Sequence, residues 1–387
     1  MEHQELEVAL RVRADFTVSA VLAALLGVAL PAAQAEERPG GIVAPVVLPQ
    51  FDRTAPACAP PPGLARSLVF LRDNQRDFVS GIDAGLAAAA RDRGLDYRAE
   101  VADNNPALMR RQAAAAVERK TGAVVIAPLD PRLMAPATQE ILWSGAYVGS
   151  VVPPPATTIL NAPQYLTGRV LGEAAAKYIE EKLDGRAKVV LLTHDSNQFL
   201  ARRFVAIRDV LARLSDATIV ADISPPTVDR QGGISTMETI LLAQPDVDVV
   251  LGADTVVLGA LDALRKAGKD RPDQFLGGID GESEAVAEIK ARGSYKASVS
   301  LAPPIFGYAL GQFAADWLEG KSVPQAIDVV PKLLDADNLA RHEADLADPG
   351  AVHADPARRD SYLRMYGNIC YDSREDYLNF PWSSERG

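Results

Sequence analysis

The chain has 387 residues, with 40 basic and 51 acidic side chains, a formal net charge of −11 and a hydrophobic fraction of 48%. That apolar content excludes a largely disordered chain, and at about 150 residues per domain the length corresponds to about two domains with their own cores. The acidic balance argues against a nucleic-acid partner, because such binding draws on basic side chains that neutralise phosphates.

The first feature in chain order is an uncharged apolar run of 15 residues, Phe16 to Leu30, preceded by Arg11 and Arg13 and followed by Ala33-Gln34-Ala35. The run is short for a membrane span of about 20 residues and has the layout of a secretory signal peptide with an A-x-A cleavage site. Residues 1–35 are therefore expected to be a leader, with a mature start at Glu36 and a periplasmic location. Glu2, Glu5 and Glu7 fit a basic leader poorly and favour a translation start near Val12, and an uncleaved anchor helix is the competing reading. Residues 36–65 carry seven prolines, which predicts an extended surface segment. The two cysteines, Cys58 and Cys370, are either a disulfide stapling the two ends of an exported chain or two unrelated thiols.

From Ser67 onward short apolar runs alternate with amphipathic segments of helical length. The pattern predicts strands over Ser67–Leu71, Tyr97–Val101, Ala123–Ala127, Tyr147–Ser150, Lys188–Thr193, Thr218–Ile223, Val249–Ala253, Gln274–Ile279 and Lys296–Ser300. Helices are expected near Phe78–Arg93, Pro106–Lys120, Met134–Ser144, Tyr165–Leu183, Phe199–Leu214, Gly232–Ala243, Val256–Ala267, Ser283–Arg292 and Pro304–Glu319. Asn105-Pro106 is a good helix start and Gly268 a good stop. This β-α-β-α order is that of an α/β protein with doubly wound parallel sheets, whose ligands bind at the carboxyl ends of the strands. The last 27 residues hold Tyr362, Tyr366, Tyr371, Tyr377, Phe380 and Trp382 close by or within them, so the tail should pack on the body or dock a partner.

Signatures of catalysis are missing. No G-x-G-x-x-G follows the first strand and no G-x-S-x-G elbow is present, and Gly320-Lys321-Ser322 follows a helix and suits a turn. His194, His342 and His353 have no metal-ligand spacing. Neither an enzyme, a cofactor nor a metal is expected.

Several stretches carry a family likeness: Phe78-Val79-Ser80-Gly81, Ala102-Asp103-Asn104-Asn105-Pro106, Val124 to Asp130 (VVIAPLD), Gln244-Pro245-Asp246-Val247, Leu258-Gly259-Ala260-Leu261 with Ala267-Gly268-Lys269, and Gly277-Gly278-Ile279-Asp280-Gly281. In this order and spacing, from about Ser67 to Gln325, the chain resembles the type I periplasmic binding proteins for sugars, the ribose-binding-protein family. The resemblance implies two α/β lobes hinged around a ligand cleft: 65–160 plus 302–325 as the first, 161–301 plus 326–335 as the second, with crossings near Asn161 and Leu301 and a C-terminal extension over 336–387. It implies capture of a sugar or polyol-like small molecule by a monomer and delivery to the membrane permease of an ABC transporter, or presentation to a membrane sensor.

By the same resemblance Phe78 matches a pocket aromatic, Asp280 a hydroxyl-accepting aspartate, and Arg202 or Arg203 a pocket arginine. Asp254 holds the analogous place after the preceding strand or is the N-cap of the helix that begins at Val256, and Gln75 and Asp77 fall on the first loop. The departures are Val151-Val152 and three prolines in place of an aspartate-arginine pair, Ala127 and Ala253 in place of asparagines, and Leu301 or Ala302 in place of a glutamine. Because each unpaired buried hydroxyl loses about 1–3 kcal/mol, such walls open a second reading, an apolar, aromatic or lipid-like ligand.

Overall fold

Strands buried on both faces need near-continuous apolar sequence, and Thr121–Ala127 (TGAVVIA) is buried at every position. The computed structural model describes residues 38–128, 130–151, 155–197 and 200–385, and the body from Pro39 onward is one unit. The expected leader, its cleavage site and Val152 lie outside the described residues.

The first lobe opens with β1 (Ala65–Arg72), α1 (Asp77–Arg93), β2 (Asp96–Val101), α2 (Pro106–Glu118), β3 (Thr121–Ala127), α3 (Pro131–Trp143), β4 (Tyr147–Val151) and β5 (Thr158–Asn161). Local chemistry sets the boundaries. The Asn105 side chain accepts from the Ala107 and Leu108 amides ahead of Pro106, and Gly94 ends α1 in the left-handed conformation. After a first crossing come α4 (Gln164–Lys182), β6 (Arg186–Leu192), α5 (Ala201–Leu211), β7 (Asp216–Ile223), α6 (Arg230–Ala243), β8 (Val249–Leu251), α7 (Asp254–Lys266), β9 (Phe275–Asp280), α8 (Ser283–Lys290) and β10 (Tyr295–Ser300). The chain then returns through α9 (Pro303–Leu318) and β11 (Ala326–Val329), crosses to β12 (Lys332–Leu334), and ends with α10 (Leu339–Ala347), α11 (Pro349–Ala354), α12 (Pro356–Tyr362), β13 (Leu363–Tyr366) and a 3-10 turn over Tyr371–Asp376.

One sheet has the strand order β13-β11-β5-β4-β3-β1-β2 and the other β12-β10-β9-β8-β6-β7. All pairings are parallel except the two edge additions, β11 with β13 and β10 with β12. The return segment 326–335 does not belong to the second lobe as a whole. Ala326–Val329 pairs with β5 in the first sheet, and only Lys332–Leu334 joins the second, antiparallel to β10. Strands β5, β11, β12 and β13 are three or four residues long, too short to show a period in the sequence.

Within the first lobe α1 and α9 pack backbone to backbone. A Cβ on Gly85 would stand 2.2 Å from the Pro304 carbonyl oxygen, and one on Gly307 2.5 Å from that of Ile82. The approach lets Phe306, Leu310 and Phe313 on α9 share one core with Leu68, Phe70 and Val125. Gly85→Ala is therefore expected to destabilise by about 1–3 kcal/mol, the usual range for forced overpacking. Chemical denaturation measures it, and an unchanged midpoint would mean that the helices part at little cost.

Both ends of the described body belong to this lobe. Ile42 bridges Leu378, Gln50 bridges Tyr366, and Tyr377, Leu378, Phe380 and Trp382 enter the first core. Glu385 at the end of the tail accepts from the Tyr165 and Leu166 amides at the start of α4, at 3.1 and 2.7 Å, where a carboxylate complements the helix dipole. Cys58 and Cys370 form a disulfide across 312 residues of sequence. Reducing it should lower stability by about 2–5 kcal/mol, the range for removal of a long-loop bridge, and Cys370→Ser should reproduce the loss. Equal melting temperatures with and without reductant would show the staple to be idle.

Candidate functional site at the interlobe cleft

Parallel strands deliver their carboxyl ends to one edge of each sheet, and in both lobes polar side chains cluster there. On the first lobe Asp73, Asn74 and Arg76 follow β1. The Arg76 Nη2 lies 3.4 Å from Asp73 Oδ2, and Asn74 Oδ1 accepts from the Arg76 backbone amide and Nε, both at 3.0 Å. Asn74 Nδ2 in turn donates to Asn104 Oδ1 at 3.1 Å. Asp103 and Asn104 both hold positive φ, 47° and 57°, a conformation that short polar side chains tolerate. Beside them Asp73, Asn104, Asn105, Met109, Asp130 and Met134 line a cavity of about 10 Å³, room for about one water.

On the second lobe the centre is Asp280, the last residue of β9. Its φ of 122° lies where glycine is favoured, a strained setting of the kind found at binding sites. Arg203 on α5 is buried, with Nε donating to Gln164 Oε1 at 2.8 Å and Nη1 lying 3.8 Å from Asp280 Oδ1. Burial pushes the Asp280 carboxyl up, while the charges of Arg203 and then of Arg76, from the opposite lobe, pull it back. The lobes touch where Ser283 Oγ, at the start of α8, donates to Asp77 Oδ2, at the start of α1, at 2.7 Å.

The other expected site residues divide. Arg203 is the arginine that approaches Asp280; Arg202 is exposed, its guanidinium 6.0 Å from the Tyr165 ring. Phe78 is partly buried and packs on Phe306, ring centroids 5.8 Å apart, so part of its ring belongs to the core. Gln75 is exposed on the first loop and Asp77 is exposed as the first residue of α1. Val151 and Leu301 are buried members of the first lobe's core, so side-chain packing occupies them.

Asp254 is a correction. It is fully buried beneath the cleft, at the first turn of α7, and makes no cap bond. Its carboxylate accepts from Tyr295 OH at 2.7 Å, from Ser298 Oγ at 2.7 Å, and from the Glu282 amide at 2.8 Å. A Cβ on Gly278 would meet Asp254 Oδ1 at 1.8 Å, so the glycine in this strand is the space the carboxylate occupies. Burial, then the Asp280 charge, raise its pKa to about 6.

Sequence reasoning missed Asp73, Arg76, Asn104, Gln164 and Glu282 as cleft residues, although Asn104 sits inside a stretch that carried the family likeness. Glu282 is raised to about 7, first by burial and then by Asp254, Asp280, Asp77 and Glu284. No metal site competes for these groups among the described residues: the one metal-like cluster is Cys58, Cys370 and Asp372, whose sulfurs are joined to each other.

The raised carboxyls give a pH dependence with a definite sign. Between the ordinary glutamate value of 4.5 and about 7 the folded protein keeps a proton on Glu282 that the unfolded chain has released, so this contribution falls as pH rises. His353 runs oppositely: burial holds it down to about 4, so its contribution is lost as pH falls through the range below 6.5. The difference between Glu282→Gln and the parent isolates the carboxyl. The variant's melting temperature should gain on the parent's between about pH 5 and about pH 7.5. Parallel curves would remove Glu282 from the charge cluster.

The sequence model of the family described as Periplasmic binding protein domain matches residues 68–322. The ribose import binding protein of Bacillus subtilis is 28% identical over 268 residues, 67% of this chain and 83% of the relative. A putative rhizopine-binding protein of Rhizobium meliloti is 24% identical, covering 70% of this chain and 87% of the relative. Among solved structures, the Caulobacter myo-inositol binding protein bound to myo-inositol aligns with a TM-score of 0.59 and 25% identity, over 73% of this chain and 97% of that one. A periplasmic ribose ABC transporter structure from Conexibacter woesei aligns with a TM-score of 0.64 at 19% identity, over 73% of this chain and 95% of that one, a likeness of fold. The chain belongs to the periplasmic binding protein family.

Proposed function

We propose that this periplasmic binding protein captures a sugar or polyol-like small molecule between its lobes in the periplasm and hands it to the membrane permease of an ABC transporter. The observation that carries the reading is the placement of the Arg203–Asp280 pair on one lobe opposite the Asp73–Asn74–Arg76–Asn104 network on the other. Charged groups held by their own partners hydrogen-bond hydroxyls strongly in a site that excludes water, and Phe78 offers an aromatic edge for the apolar side of a ring. The relatives named for ribose and myo-inositol support this ligand class. The alternative of an apolar or lipid-like ligand rested on Val151, Val152, Ala253 and Leu301; with Val151 and Leu301 committed to the first core and Ala253 packed against the second, no observation favours it. A hinge motion about the crossings near Asn161 and Leu301 would let the lobes open and close on the ligand.

A thermal-shift screen of the purified protein against ribose, allose and myo-inositol tests the reading. A true ligand at 100 times its Kd should stabilise by about 2.7 kcal/mol. Asp280→Ala should then weaken that ligand by about 1.5–3 kcal/mol in calorimetry, roughly 10- to 150-fold in Kd. A folded variant with unchanged affinity would reduce Asp280 to a turn residue, and a wider sugar and polyol panel without any stabilising compound would overturn the ligand class.

A further inference from the structure

A second cavity lies away from the cleft, under the N-terminal strap. It has a volume of about 150 Å³, and its walls include Phe51, Arg53 and Ala57 from the strap, Phe313 and Asp316 from α9, and Lys321 from the turn beyond. The start of α9 is at the second crossing, so at 1.5 Å per residue Phe313 is about 15 Å along the helix from it.

The strap is fixed over this space. The Phe51 amide donates to the Met365 carbonyl at 2.9 Å, the Cys58 amide to the Gly320 carbonyl at 2.6 Å, and the disulfide ties Cys58 to Cys370. Asn368 grips the Asp52 carbonyl at 2.9 Å and Ser322 Oγ at 3.0 Å. Residues 39–67 fall outside the stretch 68–322 that the family model matches, so the strap side of the cavity is not part of that match.

Its chemistry is two-sided. Phe51 and Phe313 meet edge to face, centroids 6.3 Å apart, and make an apolar wall with the strap alanine. The charges at the rim do not cancel. Asp316 is already neutralised by Arg93 at 2.8 Å and Lys321 at 3.1 Å, and Arg359 pairs with Asp360 at 3.0 Å. Arg53 donates to Met365 Sδ at 3.6 Å and lies 5.9 Å from the Phe51 ring centroid, and no carboxylate is within ion-pair distance of it among the described residues. Arg53 keeps solvent contact; partial desolvation, and after it the charge of Arg359, hold its guanidinium below the usual arginine value against the pull of Asp360 and Asp316.

We propose that this cavity is a second ligand site, taking a small monocarboxylate with an aromatic or compact apolar body, its carboxylate on Arg53 and its body between Phe51 and Phe313. A volume of about 150 Å³ accommodates a benzene-sized ring, and a planar guanidinium fork matches a carboxylate. Phosphate has no apolar body to place against the Phe51–Phe313 wall, so it should bind poorly here.

Fluorine NMR with 4-fluorobenzoate on the intact oxidised protein tests the site. Saturable line broadening is expected in the parent, with Kd raised at least 10-fold in Arg53→Gln and binding lost in Ala57→Leu, which fills the cavity from the exposed strap. Asp280→Ala, in the separate cleft, should bind the probe as the parent does. Cyclohexanecarboxylate should compete, whereas benzyl alcohol and inorganic phosphate should not. Absence of binding, equal binding by Arg53→Gln and Ala57→Leu, loss of binding in Asp280→Ala, or competition by phosphate as strong as by cyclohexanecarboxylate would each overturn the proposal.

Discussion

A carboxylate with no access to solvent, Asp254, sets the geometry of the second lobe's binding edge. An isolated buried carboxylate would be costly, and three kinds of donor meet this one: a phenol from the start of β10, a hydroxyl three residues further along, and the amide of Glu282 in the loop after β9. Those contacts join α7, β10 and the β9–α8 loop in one place, and Gly278 leaves the volume in which they meet. With the loop held from below, Asp280 sits at its unusual φ and faces Arg203, and Ser283 reaches Asp77 on the other lobe. The exposed chemistry of the cleft is thus supported by a charge that never reaches it.

The first lobe solves a different problem. Its sheet takes in strands from both ends of the chain, and a helix near the end, α9, packs on the first helix, α1, through glycines. Contacts this distant in sequence carry a large loop-closure cost, and the disulfide between Cys58 and Cys370 lowers it by limiting the unfolded chain. The aromatic tail closes the same core, so its six aromatic residues serve mainly as packing, and Glu385 extends the lobe's reach to the first helix of its neighbour.

Opposite charges across the cleft and like charges at its rim act against each other. Arg76 attracts Asp280 between lobes, whereas Asp77, Glu282 and Glu284 repel. The balance between the two makes the contact of the lobes sensitive to protons, since protonation of Glu282 removes part of the repulsion.

The sequence by itself determined the alternation of strands and helices and the strand ends where a ligand would bind, because hydrophobic period, caps and turn residues are local and survive without partners; the two-lobed plan came through the family resemblance. Asp280 and the choice between Arg202 and Arg203 were legible as candidates through the family resemblance, and the Cys58–Cys370 pair because the chain has only two cysteines. Tertiary structure alone decided which arginine is buried, that Asp254 turns inward, that Val151 and Leu301 are spent in the core, and that Ala326–Val329 completes the first sheet. It also decided that Arg53 stands over an unfilled space. These outcomes depend on rigid elements meeting across long separations, where the direction of a side chain follows from what occupies the opposite wall, and no period along the chain records that.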